Sequence, residues 1–148
     1  MSIFLSADDV ICRAKKQSTQ EWIYGYYIQR NNKPYIAEVD ECDIIDVNND
    51  TSIIKVHPVF NFSVCLYTFE TDINGKDIYE GDFLKTTIGS NSPFQTELIT
   101  MVVFDNGTFY AGGIIEIENN LFKYCQVVGN KNDNPEILDL IPVELEED

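Results

Sequence analysis

The stretch from Tyr67 to Leu84 constrains the fold more than any other part of the chain. It contains Asn74-Gly75, the pair that best tolerates left-handed backbone at both central positions of a type I′ hairpin turn. A compact turn, Glu80-Gly81-Asp82, follows and launches the apolar Phe83-Leu84. With side chains alternating along each strand, Tyr67 and Phe69 pair with Ile78 across the turn, and Thr68, Glu70 and Asp77 face water. The segment therefore predicts a small antiparallel β architecture. It names no chemistry.

The rest of the chain repeats the pattern. A strand is expected over Val10 to Ala14, although Ser6-Ala7-Asp8-Asp9 also has the capping-box spacing that can open a short helix. Glu21 to Arg30, rich in Trp, Ile and Tyr, reads as strand, and Asn31-Asn32-Lys33-Pro34 turns it back into Tyr35 to Val39. Asp46 to Ser52 reads as a polar loop, followed by an apolar strand from Ile53 to Val56. Beyond the central hairpin, Leu98 to Phe104 meets Asp105-Asn106-Gly107 and returns as Thr108 to Ala111. Ile114 to Glu118 alternates with period two, and Asn119-Asn120 turns into an expected strand from Leu121 to Val128. Asn134-Pro135-Glu136 has the order N-cap, first-turn Pro and first-turn acid of a short helix. About eight strands and at most one or two short helices predict a mainly β, single-domain antiparallel partly open barrel or sandwich, SH3-like or related, spanning residues 1–148.

Composition narrows the function classes. The 148 residues suffice for one real core, and 44% hydrophobic content separates the chain from disordered sequences. No apolar run approaches the roughly 20 residues of a membrane-spanning helix, and the start of the chain lacks a basic region preceding an apolar one. A soluble cytoplasmic protein is the expectation. Cys12, Cys42, Cys65 and Cys125 are scattered without a Cys-x-x-Cys pair, which argues against zinc and for free, mostly buried thiols. The net charge of −15 offers few cations to neutralise phosphate, so direct nucleic-acid binding is not expected. Arg13, Lys15, Lys16, Arg30 and Lys33 lie early, whereas acids gather late and end in a tail over about 143–148. Such a surface serves solubility, or acts as an acidic decoy for a nucleic-acid-binding groove on another protein.

Each candidate for chemistry has a structural reading that competes with it. Asp46, Asn48 and Asp50 have the spacing of a calcium loop, but Thr51 replaces its Gly and His57 its closing Glu, so no metal is expected. His57 is the single histidine, and Pro58 after it favours extended backbone at a strand end over a catalytic role. Glu80 and Asp82 form an acidic pair suited to acid–base work, yet a turn in which Gly81 takes unusual torsions and Asp82 accepts turn amides explains them better. Gly112-Gly113 lacks the Lys and helix of a phosphate loop and suits a bend or bulge. Trp22, Tyr24 and Tyr26 share one strand face, which with Tyr27 and Tyr35 suits either a core or interface, or a stacking platform. No catalytic residue, cofactor or metal is expected.

The central block also carries a family resemblance. Thr68, Asp72, Gly75 and the run Ile78-Tyr79-Glu80-Gly81-Asp82 match the hallmark Thr-Gly-Leu-x-Asp-x-x-Gly-x-x-Ile-Tyr-Glu-Gly-Asp of the YopX-like family, with Phe69-Glu70 in place of Gly-Leu. Glu21-Trp22-Ile23-Tyr24-Gly25-Tyr26 resembles its N-terminal strand. Val128-Gly129-Asn130 with Asn134-Pro135-Glu136-Ile137-Leu138 resembles its closing segment, where Gly129, Asn130 and Pro135 are the matching residues. The resemblance implies a phage or prophage origin and a small β protein, and brings no catalytic or ligand-binding residues with it. Its matching residues are expected to be structural. The expected role is a non-enzymatic accessory protein that binds a protein partner, with self-association into a homo-oligomer. The alternatives are a nucleic-acid mimic, a small-molecule-binding protein and a small enzyme built on Glu80 and Asp82.

Overall fold

A computed structural model describes residues 11–38, 45–47, 51–53, 55–88, 93, 96–112 and 119–141. Strands dominate these residues, and every strand pairing whose register is resolved is antiparallel. The chain divides into two compact units, Met1–Tyr67 and Thr68–Asp148.

In the first unit, β1 (Ile11–Lys15), β2 (Trp22–Arg30) and β3 (Lys33–Glu38) form a meander. The β2–β3 turn is as tight as the sequence implies. Arg30 pairs with Lys33, leaving Asn31 and Asn32 as a two-residue loop with φ of 52° and 61°. Asparagine is among the few non-glycine residues that enter the left-handed region readily, and two in succession give a type I′ turn. The backbone of β4 (Ile45–Val47) and β5 (Thr51–Ile53) pairs as a separate ribbon, where a polar loop was expected from Asp46 to Ser52. Asn48 and Asp50 lie outside the described residues. The short β6 (His57–Pro58) pairs with Tyr35 and Ile36, so His57 occupies extended strand backbone as its Pro neighbour dictates.

β7 (Cys65–Thr71) begins in this unit beside β1, giving the order β6-β3-β2-β1-β7. Ser63, buried in a 3₁₀ turn over Asn61–Ser63, accepts the Lys15 N–H at 2.7 Å and donates to the Phe60 carbonyl at 2.7 Å. Cys12 and Ala14 from β1 pack with Ile23, Ile36 and Val59, flanked by Tyr27, Val64 and Leu66. At Gly25 of β2 the backbone passes so close to β3 that a Cβ there would overlap the Ala37 carbonyl oxygen.

The second unit takes the end of β7 with β8 (Asp77–Tyr79) beside it. It adds an open four-stranded sheet ordered β11-β10-β9-β12, from β9 (Asp82–Ile88), β10 (Thr96–Asp105), β11 (Thr108–Gly112) and β12 (Gln126–Asn130). Asp105 pairs with Thr108 around Asn106 and Gly107, whose φ of 51° and 76° make the second type I′ turn. Ile78, Leu84, Val102, Ala111, Phe122 and Cys125 form the core.

Phe122 accounts for a departure from expectation. The segment Asn119–Tyr124 coils as 3₁₀ helix instead of starting a strand at Leu121, and Phe122 enters the core fully buried before β12 begins at Gln126. Pro135–Leu140 is likewise 3₁₀, with Pro at its start. Ile114–Glu118, Gly113 and the Ser6–Asp9 segment lie outside the described residues.

Candidate functional site

The central block forms a clasp built on a buried carboxylate. Asp72 is 5% exposed. Its Oδ1 accepts the N–H groups of Asn74 at 2.8 Å and Lys76 at 2.9 Å. Its Oδ2 accepts the N–H of Val127 in β12 at 2.9 Å. The loop it holds differs from the expected type I′ turn. Gly75 N–H donates to the Asp72 carbonyl, Asp72 N–H donates to the Lys76 carbonyl, and of the loop residues Gly75 alone, at φ 79°, is left-handed. This is a three-residue loop, a type I turn closed by a left-handed glycine. The physical reason is the Asp72 side chain, which captures the Asn74 amide in an Asx turn and fixes the loop one residue earlier than Asn-Gly alone would place it.

Burial pushes the Asp72 carboxyl upward, but the N–H donors of Val127, Lys76 and Asn74, with the Lys76 charge, outweigh it and hold the group below its ordinary value. An ionised group with that many donors is a tie between segments and a poor proton acceptor. The neighbouring Ile73 N–H adds a further tie, donating to the Cys125 carbonyl at 2.9 Å.

Thr68 and Phe69 overturn the expected facing of β7. Thr68 is buried, donating its hydroxyl to the Ile78 carbonyl at 2.7 Å and accepting the Glu70 N–H at 3.1 Å. Phe69 is 63% exposed and has φ of 62°. The inward side has already changed between Cys65 and Thr68, ahead of the left-handed Phe69, and Asp72 is buried on the far side of it. Phe69 thus keeps a backbone suited to glycine, the residue at this place in the hallmark. Ile78 is buried and Asp77 exposed, as expected.

The acidic turn has the expected geometry, with Asp82 accepting a turn amide and Gly81 left-handed. Asp82 is 1% exposed, and its Oδ2 accepts the Tyr79 N–H at 2.8 Å. Gly81, at φ 86°, donates its N–H to the Val102 carbonyl at 2.8 Å and accepts the Lys131 N–H at 2.9 Å. Glu80 is half-buried beside it. At the closing segment, β12 is irregular between Val127 and Gly129. A Cβ on Gly129 would lie 2.7 Å from Asn134 Oδ1 and 2.9 Å from Ile137 Cδ1. Asn134 does not cap its own helix. Its Oδ1 instead accepts the Asn130 N–H at 3.2 Å, while Asn130 Oδ1 accepts the N–H groups of Asn132 and Asp133. Pro135 follows at the first helical position.

Of the remaining candidates, Cys125 borders this clasp through its carbonyl. Cys12, Cys65 and Cys125 are buried thiols outside any disulfide, and Cys42 lies outside the described residues. Cys125 Sγ is 3.0 Å from Thr86 Oγ1. Burial raises this thiol, the Thr86 hydroxyl pulls it down, the Asp72 charge adds to the rise, and the net effect leaves a protonated, unreactive group. On β2, Ile23 and Gly25 point inward, whereas Trp22 is half-buried and Tyr24 is 49% exposed. Arg13 and Lys15 of β1 approach the Trp22 ring at 4.6 and 5.2 Å. The Trp22–Tyr24–Tyr26 face is therefore the outer one. Asp46 pairs through its backbone with Ser52 in the β4–β5 ribbon.

Sequence reading missed the partners that give the motif its meaning, above all Val127, Val102 and Lys131. Backbone N–H and C=O groups carry no residue signature, so only the acceptor and the glycine were visible. No curated protein and no solved structure matches the chain. A protein-family comparison matches YopX protein over residues 12–139, a span that contains every motif residue of the clasp. The chain belongs to the YopX family.

Proposed function

We propose that this protein is a non-enzymatic accessory protein of phage or prophage origin, acting in the bacterial cytoplasm, whose acidic second unit docks a basic protein partner. The observation that carries this reading is the distribution of charge. Thr68–Asp148 holds sixteen of the 25 acidic residues and four of the ten basic ones, a net charge of −12, against −3 for Met1–Tyr67. A field of one sign steers an oppositely charged partner and weakens as salt screens it. The motif carboxylates Asp72 and Asp82 are engaged by backbone amides, which supports a structural role for them and leaves the surface as the working part. Nucleic-acid-binding proteins are the basic partners such a surface reaches, through the groove their nucleic acid occupies.

The test is a pull-down from host lysate at low and high salt, with mass spectrometry of proteins and extracted small molecules. Recovery of a basic protein at low salt and its release at high salt is the expected result. A retained small molecule that raises the melting temperature, with no protein partner, would replace this reading with a ligand-binding one. An empty bait in both conditions removes it.

A further inference from the structure

Among the described residues of the second unit, Phe69 combines two features that seldom occur together. Its backbone is left-handed, a conformation that disfavours a bulky side chain, and its ring is 63% exposed, so burial does not offset that cost. Further along the same hairpin Ile73 is also 63% exposed, and its N–H bonds the carbonyl of Cys125, placing it beside Tyr124, which is 62% exposed. The hairpin also carries Glu70 and Asp77 against one lysine, Lys76, and Glu80 follows directly after it. Large exposed apolar side chains on an element that also carries charge are the composition of a contact surface.

We propose that the hairpin from Thr68 to Tyr79 is the contact element of the second unit, with Phe69 as its anchor. The partner presents apolar side chains flanked by lysine and arginine. This rests on the acidic-docking reading above. Charge decides the occupant: a second copy of this chain would bring the same −12 unit against it, whereas a basic protein gains from every acid on the hairpin. The division of labour is the usual one, in which the rim charges set approach and salt dependence and the aromatic anchor sets the lifetime of the complex.

The test uses the full chain and a synthetic peptide of alternating lysine and leucine, titrated at low and high salt. Three variants are compared: Phe69→Gly, Ile73→Ser and, as a control on the first unit, Phe62→Ala, where the ring is 69% exposed. Phe69→Gly suits the left-handed backbone, so it keeps or raises the melting temperature, and lost binding then cannot be lost folding. The expected result is salt-sensitive binding weakened about tenfold by Phe69→Gly, less by Ile73→Ser and not at all by Phe62→Ala. Equal binding by all variants overturns the hairpin as contact element and leaves the acidic-docking reading standing. Absence of binding at low salt overturns both.

Discussion

The Asp72 carboxylate spans 55 residues of sequence to accept the Val127 N–H at 2.9 Å, while its other oxygen holds the loop that follows it. One side chain thereby fastens the β7–β8 hairpin to β12. Asp72→Asn keeps the shape but turns one acceptor into a donor facing an N–H. The expected cost is about 2–3 kcal/mol, the range for losing a buried, charge-assisted hydrogen bond. Urea unfolding followed by far-ultraviolet circular dichroism measures it, and a loss under about 0.5 kcal/mol would mean the clasp is not a tie.

The same group sets an acid limit. Its pKa is lowered in the folded state, so its contribution is complete above the unfolded value near 3.8 and is lost as pH falls through the folded one. Stability should therefore drop on acidification below about pH 4, and Asp72→Asn should flatten that part of the profile. Parallel pH profiles for the two proteins would contradict the assignment.

Gly81 and Glu80 separate turn from chemistry. Gly81→Ala places a Cβ on backbone at φ 86° and 3.0 Å from the Lys131 stem, for an expected loss of about 1–2 kcal/mol. Glu80→Gln should change stability by less than about 0.5 kcal/mol. A metal or substrate found bound beside Glu80 and Asp82 in a soaking screen would reverse the non-enzymatic reading.

Self-association is expected through strand edges and exposed aromatic groups, opposed by the −15 charge. Light scattering should give a mass above 16.9 kDa that grows as salt screens the repulsion. A constant monomer mass across concentration and salt would end that expectation.

Much of the fold was legible because its turns are local. Asn31-Asn32 and Asn106-Gly107 fix two hairpins through their own torsions, and the strands between them follow from side-chain alternation. The hairpin at Asn74-Gly75 was legible in place but not in type, because the deciding contact comes from Asp72. The facing of Thr68 and Phe69 was misjudged because the Thr68 hydroxyl turns inward to the Ile78 carbonyl, a main-chain partner the sequence does not display. Phe122 shows a further limit, where burial of one ring outweighed strand propensity. In the candidate site, Asp72, Gly81, Asp82 and Gly129 were visible as motif residues, but their main-chain partners were not.

The contrast between short and long closures has a consequence in time. The Asn31-Asn32 and Asn106-Gly107 hairpins close over two residues, while the Asp72 contact waits for β12 to arrive from far along the chain. Loop-closure entropy makes the hairpins early and the Asp72–Val127 contact late in folding. A contact formed after the rate-limiting step barely affects how fast the chain folds and strongly affects how fast it opens. Asp72 therefore acts as a lock on escape: Asp72→Asn should leave the refolding rate nearly unchanged and accelerate unfolding, shortening the lifetime of the native state.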